Sequence, residues 1–323
     1  MGQNILVTGG AGYIGSHTCK LLASKGYTPI CYDNLSTGHK DFVKWGPLEI
    51  GDLHDTINLI KVLNKYKPIA VIHFAASAYV GESVNNPLKY FKNNVGGTLS
   101  LLDAMDNVNI RSIVFSSTCA TYGVPNTKII TEETPQNPIN PYGQSKLMVE
   151  KILDALARQE KISQISLRYF NAAGADKNGE IGERHIPETH LIPLAIDSAL
   201  HGTKLKIFGT DYETHDGSAV RDYVHVEDLA QAHIKAIEYV MAKQISDFFN
   251  IGSETGTSVF EVIKTIEKLG YCVKKEETKR RIGDPAHLVA NANKIKKILK
   301  WKPVYNQIED TIKTAINWHS KNV

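Results

Sequence analysis

The first half of the chain alternates short apolar runs with longer segments of helical periodicity. The apolar runs read as buried strands and are "NILVTG", "YTPICYD", "PIAVIHFAA", "IRSIVFSS" and "QISLRYF". Helical patterns lie between them, notably at Tyr13 to Lys25, Leu88 to Met105 and Tyr142 to Arg158. Strands that alternate with helices in this way form parallel sheets through right-handed crossovers. The pattern therefore predicts an α/β fold with a doubly wound, Rossmann-type parallel sheet.

The pattern changes near residue 175. Beyond it Gly, Pro and His become frequent, as in "NGEIGERHIPETHLIP" and "GTDYETHDGSAVRDYVHV", and the predicted strands become shorter. We therefore expect a nucleotide-binding domain over residues 1–175 and a smaller substrate-binding lobe over residues 176–323. Two later segments, Asp222 to Val226 and Phe248 to Ile251, are candidates to return to the main sheet.

Composition narrows the class of protein. The 323 residues carry a formal net charge of +3, with both signs spread along the chain, which gives no indication of a nucleic-acid or membrane surface. The four cysteines have no paired spacing, so we expect neither disulfides nor a metal site. The N-terminus enters an apolar strand without a charged leader, and this favours a cytoplasmic protein.

A glycine-rich turn follows the first predicted strand. In "TGGAGYIG", Gly9, Gly12 and Gly15 have GxxGxxG spacing between a strand and a helix, which is the context of a dinucleotide-binding turn. Glycine lets the backbone approach a pyrophosphate at the helix N-terminus. Asp33 ends the second strand, where its carboxylate would accept hydrogen bonds from a ribose and repel a 2′-phosphate. The cofactor predicted from these residues is NAD.

A tyrosine and a lysine lie one helical turn apart in "NPYGQSKLMVEKIL". Four residues separate Tyr142 from Lys146, so both side chains project from one face of the predicted helix. A cation beside a phenol favours the phenolate, which is a usable base. Ser116, Ser117 and Thr118 end a predicted strand, and their hydroxyls could bind a substrate hydroxyl at the ligand edge of the sheet. Together these groups predict a site for hydride transfer.

The motifs "TGGAGYIG", "SSTCATYG" and "YGQSK" resemble those of the extended short-chain dehydrogenase/reductases. More narrowly, "DNLSTGH", "HFAA", "NNVGGT", "LRYFNAAGA", "GTDYETHDGSAVRDYVHVEDLA" and "RRIGDPAHLVA" resemble the UDP-galactose 4-epimerases, in the same order and from near Met1 to the end. The resemblance implies an NAD-dependent isomerase that interconverts UDP-glucose and UDP-galactose. It oxidises C4 transiently to a 4-keto sugar, which rotates before the hydride returns to its other face.

The resemblance also implies roles for individual residues. The catalytic set is Tyr142, the base on the sugar 4-hydroxyl, with Lys146, which lowers its pKa, and Thr118, which hydrogen-bonds the same oxygen. The cofactor set is Gly9, Gly12, Tyr13, Ile14, Gly15, Asp33, Asn34, Asp52, Leu53, Phe74, Ala75, Asn93, Lys146 and Tyr169. The substrate set is Thr118, Tyr142, Asn171, His190, Leu191, Phe208, Arg221, Arg281, Asp284 and Leu288.

Some positions depart from the family pattern. Thr118 stands where many members have serine, Ala78 replaces a lysine near the cofactor, and His190 replaces an asparagine beside the substrate. Leu288 lies where some members have a tyrosine that restricts the enzyme to plain hexoses, so we expect UDP-N-acetylglucosamine to be accepted as well. The resemblance further implies a homodimer that packs through the Leu88 to Met105 and Pro141 to Arg158 helices.

Alternative functions remain open at this point. A nucleotide-sugar dehydratase or decarboxylase would need a carboxylate just after Thr118, where this chain has Cys119 and Ala120. A UDP-uronate 4-epimerase would share the catalytic residues. A dinucleotide-sensing regulator on the same fold would often lack Tyr142 and Lys146, and both are present.

Overall fold

The computed structural model describes residues 2–281 and 284–321. The strands, numbered in chain order, are β1 Asn4–Thr8, β2 Thr28–Asp33, β3 Leu48–Ile50, β4 Ala70–His73, β5 Ser112–Thr118, β6 Ile129–Ile130, β7 Ser163–Tyr169, β8 Asn171–Ala173, β9 Leu205–Phe208, β10 Val220–His225, β11 Asp247–Ile251, β12 Gly256–Ser258, β13 Lys275–Thr278 and β14 His287–Ala290. The α-helices are α1 Tyr13–Ser24, α2 Thr56–Tyr66, α3 Val80–Asn85, α4 Pro87–Tyr90, α5 Gly97–Asn107, α6 Pro141–Arg158, α7 Leu191–His201, α8 Val226–Lys243, α9 Val259–Lys268, α10 Asn293–Ile298 and α11 Ile308–Lys321. Two 3-10 turns, Lys40–Phe42 and Cys119–Tyr122, and one π-helical turn, Phe91–Gly96, lie between them.

Seven strands form one parallel sheet in the order β11-β7-β5-β4-β1-β2-β3. The chain runs outward from β1 in both directions, so the strand order reverses between β1 and β4. Most side chains of the central strands are buried on both faces, which is why these strands are mainly apolar rather than alternating. The predicted doubly wound parallel sheet is confirmed.

Helices cover both faces of this sheet. On one face α1 and α8 contribute side chains such as Leu22 and Leu229 to a core shared with β1, β5, β7 and β11. On the other face α2, α5 and α6 contribute Leu59, Leu101 and Val149 to a second core with β2 and β4. The carboxyl ends of the strands are left uncovered by these packed layers, and ligands bind at that edge in such folds.

The segment predicted as one helix, Leu88 to Met105, is helical but interrupted. α4 passes directly into the π-helical turn Phe91–Gly96 and then into α5. Single π turns inside helices are frequent at functional sites, because they redirect side chains at little cost to the hydrogen-bond ladder. Asn93 and Asn94 lie in this turn.

The second half of the chain builds a smaller layer around β10. β10 pairs with β12, β14 and β8, and β14 also pairs with β6 from the first half. β9 and β13 form a separate parallel pair, and α7, α9 and α11 pack together in a third core. Of the two segments considered for a return to the main sheet, Asp247–Ile251 forms its edge strand, whereas Val220–His225 lies in the second sheet.

Across the described ranges, 2–281 and 284–321, no helix has the length and apolar character that crossing a membrane requires.

Candidate active site

The turn between β1 and α1 is shaped by glycines. Gly9 has a φ of +70°, and a Cβ there would lie 2.6 Å from the backbone nitrogen of Ala75. A Cβ on Gly15 would lie 2.2 Å from the carbonyl oxygen of Gly9. Only glycine is compatible with either position. Gly12 occupies the N-cap of α1 without a side-chain cap, so the first backbone N–H groups of the helix face the turn as an anion site.

Asp33 lies at the end of β2, beside this turn. Its Oδ2 accepts a hydrogen bond of 3.0 Å from the Ala11 nitrogen, and its Oδ1 accepts one of 2.8 Å from the Leu35 nitrogen. Burial raises the pKa of this carboxyl, and the two backbone bonds oppose that shift. The carboxylate is therefore held in one orientation, with lone pairs remaining for a further donor.

Asn34 and Asp52 meet at the same edge of the sheet. The Asn34 amide donates a 2.9 Å hydrogen bond to Asp52 Oδ2, and the His54 backbone nitrogen donates one of 2.9 Å to Asp52 Oδ1. The bond from His54 holds the pKa of Asp52 below its usual range. Leu53, between them, is buried in the core beneath α2.

Phe74 and Ala75 follow β4 and pack against the backbone of the glycine turn. Their backbone nitrogens donate to the carbonyl oxygen of Thr8 at 3.0 and 3.2 Å. The Phe74 ring packs against His233 of α8, with 4.5 Å between ring centroids. The Tyr13 hydroxyl donates to the Gly174 carbonyl at 2.5 Å, so its side chain ties α1 to the second half of the chain rather than facing the turn.

The helix that carries Tyr142 and Lys146 begins as the sequence predicts. Asn140 caps α6 by accepting a 2.8 Å hydrogen bond from the Gly143 nitrogen, and Pro141 takes the first helical position. Lys146 is only 3% exposed, and its Nζ donates a 2.8 Å hydrogen bond to the Ser116 carbonyl. Burial lowers the pKa of Lys146 to about 7, although Glu150 opposes the shift.

Tyr142 lies in a protected pocket with Thr118. Burial raises the pKa of the Tyr142 phenol well above its ordinary value of 10, while a hydrogen bond with Thr118 acts in the opposite direction. Among the protein's own groups burial therefore outweighs the hydrogen bond with Thr118, and the effect of Lys146 on this pKa stays a prediction. A phenolate near neutrality needs a further positive charge in the site.

The three hydroxyls at the end of β5 face different surroundings, because side chains alternate along a strand. Ser116 shares a 2.5 Å hydrogen bond with the Tyr169 hydroxyl, whereas Ser117 points to the opposite face and donates to Glu150. Thr118 accepts a 3.1 Å hydrogen bond from the Ala120 nitrogen and so caps the turn that follows. Ser117 is thus a structural residue, and Thr118 combines the cap with its position beside Tyr142.

The π-helical turn connects to α6 through amides and hydroxyls. Asn93 donates to the Ser77 hydroxyl at 3.1 Å, and Asn94 donates to the Ser145 hydroxyl at 2.9 Å. Ser145 directly precedes Lys146 on α6. Sequence reasoning singled out Asn93 alone, although the motif "NNVGGT" contained both asparagines.

Five of the predicted substrate-binding residues are linked by contacts among β9, β10, β14 and the segment that precedes β14. Arg221 on β10 is the register partner of Leu288 on β14, and its guanidinium forms a 2.5 Å ion pair with Asp284. The Arg281 guanidinium lies 3.9 Å from the centroid of the Phe208 ring, and the Asp284 nitrogen donates to the Arg281 carbonyl at 3.3 Å.

Leu288 brings this group near the catalytic residues. Its side chain packs, together with Cys119, against a small core formed by Tyr122, Ile130, Phe170 and Ala290. Cys119 directly follows Thr118. A substrate that contacts both Thr118 and the arginines would therefore cross between the two sheets.

The remaining predicted substrate residues lie around β8 and α7. Asn171 begins β8 and pairs in register with Tyr223 of β10. His190 occupies the N-cap of α7, and its Nδ1 lies 2.9 Å from carboxylate oxygens of both Glu183 and Glu188. Leu191 is the first residue of α7 and packs at the edge of the third core.

Comparison with known proteins decides the family. Residues 5–252 match the NAD dependent epimerase/dehydratase family. The chain belongs to this family. The resemblance stated above is thereby confirmed.

Members of this family are similar to the chain over its whole length. UDP-glucose 4-epimerase from Rhizobium leguminosarum bv. trifolii is 50% identical over 99% of this chain and 98% of its own. The crystal structure of UDP-glucose 4-epimerase from Brucella ovis in complex with NAD has a TM-score of 0.95 and 49% identity, covering 98% of each chain. That of the Bifidobacterium longum enzyme in complex with NAD+ and UDP has a TM-score of 0.92 and 38% identity, covering 99% of each chain.

The residues of this chain fit the family's cofactor. The glycine turn folds so tightly that its backbone has no room for a Cβ at Gly9 or Gly15, the uncapped start of α1 suits a pyrophosphate, and Asp33 is held at the end of β2, where such folds bind an adenosine ribose. Gly9, Gly12, Asp33 and the backbone of α1 are therefore the groups that would hold NAD.

Proposed function

We propose that this protein is an NAD-dependent UDP-glucose 4-epimerase, which interconverts UDP-glucose and UDP-galactose. The observation that carries the proposal is that the half-buried Tyr142 hydrogen-bonds with Thr118, while the buried Lys146, one turn later on α6, donates to the Ser116 carbonyl of the same strand. The full-length identity to UDP-glucose 4-epimerases supports the same reaction.

Each side chain has a specific task in this proposal. Tyr142 removes the proton from the sugar O4 and later returns it, and Thr118 hydrogen-bonds the same oxygen. Lys146 supplies positive charge beneath the site and binds the nicotinamide ribose. NAD, held at the glycine turn, would supply a hydride acceptor and donor for C4 of the sugar. Arg221 and Arg281 bind the substrate pyrophosphate through forked N–H donors.

The acidity of Tyr142 sets the main energetic demand. Shifting a phenol from pKa 10 to about 7 requires about 4 kcal/mol of preferential stabilisation of the phenolate. A charge pair about 4 Å apart contributes only about 1 kcal/mol in water, but several-fold more where water is excluded. Because burial acts against ionisation here, the charges of Lys146 and of the oxidised cofactor have to act together in the closed site.

A coupled assay with UDP-galactose, UDP-glucose and the corresponding UDP-uronates tests the proposal. We expect turnover of the plain hexoses by protein that keeps its NAD between turnovers, because the same hydride must return. Protein that turned over uronates alone would favour a UDP-uronate 4-epimerase. Protein that binds NAD but turns over no sugar would favour a regulator, and a need for added NAD at every turnover would contradict the mechanism.

Leu288 supports a wider substrate range. When the sugar turns to present its other face, the C2 substituent sweeps past this position, and an acetamido group needs more volume than a hydroxyl. Leucine is smaller than tyrosine, and here it is only partly buried, at the edge of the small core that Cys119 also contacts. We therefore propose that UDP-N-acetylglucosamine is also a substrate.

Two further properties belong to this proposal. Exposed apolar side chains on α3 to α6, namely Val84, Leu88, Leu99 and Met148, support a homodimer in which these helices pack across a two-fold axis. The four cysteines are free thiols, which supports a reducing compartment such as the cytoplasm. Solution scattering at micromolar concentration distinguishes the dimer from a monomer.

A further inference from the structure

The segment between β8 and α7 carries a cluster of side chains that ligate metals in other proteins. Glu183, His185, Glu188 and His190 each offer one ligand atom, and these four atoms lie within 4.8 Å of one another. The spacing is Glu-x-His-x-x-Glu-x-His. Cysteine spacing gave no indication of such a site, because no cysteine takes part in it.

The distances within this cluster suit a tetrahedral ion. With bonds of about 2.0–2.1 Å to nitrogen and oxygen, neighbouring ligand atoms in a tetrahedral site lie about 3.3–3.4 Å apart. His185 Nδ1 lies 3.3 Å from Glu183 Oε1 and 3.5 Å from Glu188 Oε2. His190 Nδ1 lies 2.9 Å from both carboxylates, so a shift of about 0.4 Å would bring it to the same spacing.

The buried Nδ1 of His185 is the atom of this cluster that most needs a ligand. Its Nδ1 is buried and makes no hydrogen bond of suitable geometry with the described residues, although Glu183 Oε1 lies at 3.3 Å and Glu188 Oε2 at 3.5 Å. Buried polar atoms are nearly always paired, so an unpaired one calls for an explanation such as an ion. A metal ion between the two carboxylates and this nitrogen would satisfy it.

We propose that Glu183, His185, Glu188 and His190 bind one divalent transition-metal ion, with zinc as the best match. Two carboxylates balance the charge of the ion, and two imidazoles with two carboxylate oxygens form a mixed nitrogen and oxygen set that zinc accepts. Calcium and magnesium prefer oxygen ligands alone and are disfavoured.

Four protein ligands close the coordination sphere, which is the arrangement of a structural site rather than a catalytic one. The surroundings agree with that role. The His185 ring packs edge-on against Tyr13 at 6.3 Å and Tyr79 at 6.0 Å between centroids, and the Glu183 carbonyl accepts a 3.0 Å hydrogen bond from Trp318. The ion would thus fix the start of α7, and His190 with it, against α1 and α11.

Metal analysis of the full-length protein, purified without a histidine tag, tests this proposal. We expect about one zinc per chain after dialysis, and, after removal by a chelator and addition of Co2+, the visible absorption of a tetrahedral cobalt site. X-ray absorption of the zinc-loaded wild type should report nitrogen and oxygen ligands that include two imidazoles. These readouts need no variant and no activity.

A pair of variants then locates the ion. His185→Gln should lower the zinc content at least about tenfold, as expected when one of four ligands is lost. His215→Asn is the matched control, because this exposed histidine also lies beside two carboxylates, 3.2 Å from Glu261 and 3.7 Å from Asp216. Wild-type protein that binds neither zinc nor Co2+, or His185→Gln protein that keeps its zinc, would overturn the proposal.

Discussion

A buried ion pair anchors the helix that carries Tyr142 and Lys146, and its removal is expected to destabilise the protein strongly. Arg168 on β7 and Glu150 on α6 have side chains only 4% and 7% exposed. Arg168 Nε lies 3.0 and 3.1 Å from the two Glu150 carboxylate oxygens, and Arg168 Nη2 donates a 2.7 Å hydrogen bond to Glu150 Oε2. Glu150 lies one turn after Lys146 on the same helix.

The expected loss in the free energy of unfolding depends on which charged group each substitution leaves buried without its partner. Arg168→Met keeps most of the buried stem, and within residues 2–281 and 284–321 it leaves Ser117 and Gln136 as the donors to the Glu150 carboxylate. Breaking a buried ion pair typically costs about 3–5 kcal/mol, because the remaining charge is uncompensated. Since two donors remain, we expect about 3 kcal/mol. The double variant Arg168→Met/Glu150→Leu should lose less than the sum of the two single variants, by at least about 2 kcal/mol.

Equilibrium urea unfolding at a fixed excess of NAD measures these differences. The matched control is Arg158→Met on the same helix, whose partner Asp154 lies one turn away and where both side chains are largely exposed. It should cost no more than about 0.5 kcal/mol. Equal effects of Arg168→Met and Arg158→Met, or additive losses in the double variant, would refute the reasoning.

Three further results are expected. Tyr142→Phe should lower kcat about 10²- to 10⁴-fold and leave the content of bound NAD nearly unchanged, whereas Lys146→Ala should reduce both kcat and bound NAD. A Tyr142→Phe enzyme with most of its activity would show that the base is wrongly assigned. Leu288→Tyr should lower kcat/KM about tenfold for UDP-N-acetylglucosamine and little for UDP-glucose, and equal losses on both would exclude a steric gate. Stability should fall on acidification from pH about 6.5, by about 1.4 kcal/mol per pH unit for each buried histidine, because the unfolded chain binds protons that the folded chain excludes. His73→Gln should reduce the slope of stability against pH by about one proton, and an unchanged slope would contradict this. Burial lowers the pKa of these histidines to about 3 or about 4: His17, His73, His225 and His233.

Local sequence was sufficient to predict those features of the structure that depend on a few consecutive residues. The glycine turn could be predicted because a backbone with positive φ and no room for a Cβ excludes other residues at Gly9. The helix from Pro141 was predictable from its cap and its periodicity. The apolar runs likewise indicated the large parallel sheet, because burial on both faces favours mainly apolar residues in its strands.

Local sequence was insufficient where a side chain's surroundings come from distant segments. Ser116, Ser117 and Thr118 looked equivalent, and only the register of β5 shows that Ser117 faces Glu150 and Arg168. Burial of Tyr142 by neighbouring elements likewise raises its pKa, and consecutive residues give no sign of that effect.

The sequence by itself thus determined the α/β class, the position of the nucleotide turn and the Tyr142 and Lys146 pair, because periodicity, caps and glycine geometry act over one or two turns of chain. Only the tertiary structure decided that Leu288 and Cys119 pack against one small core, since 169 positions separate them and the pairing of β14 with β6 and β10 places Leu288 there. It also decided that the side chains of Glu183, His185, Glu188 and His190 converge, because they lie in an irregular loop. A loop without periodicity gives no direction to its side chains until other elements pack against it.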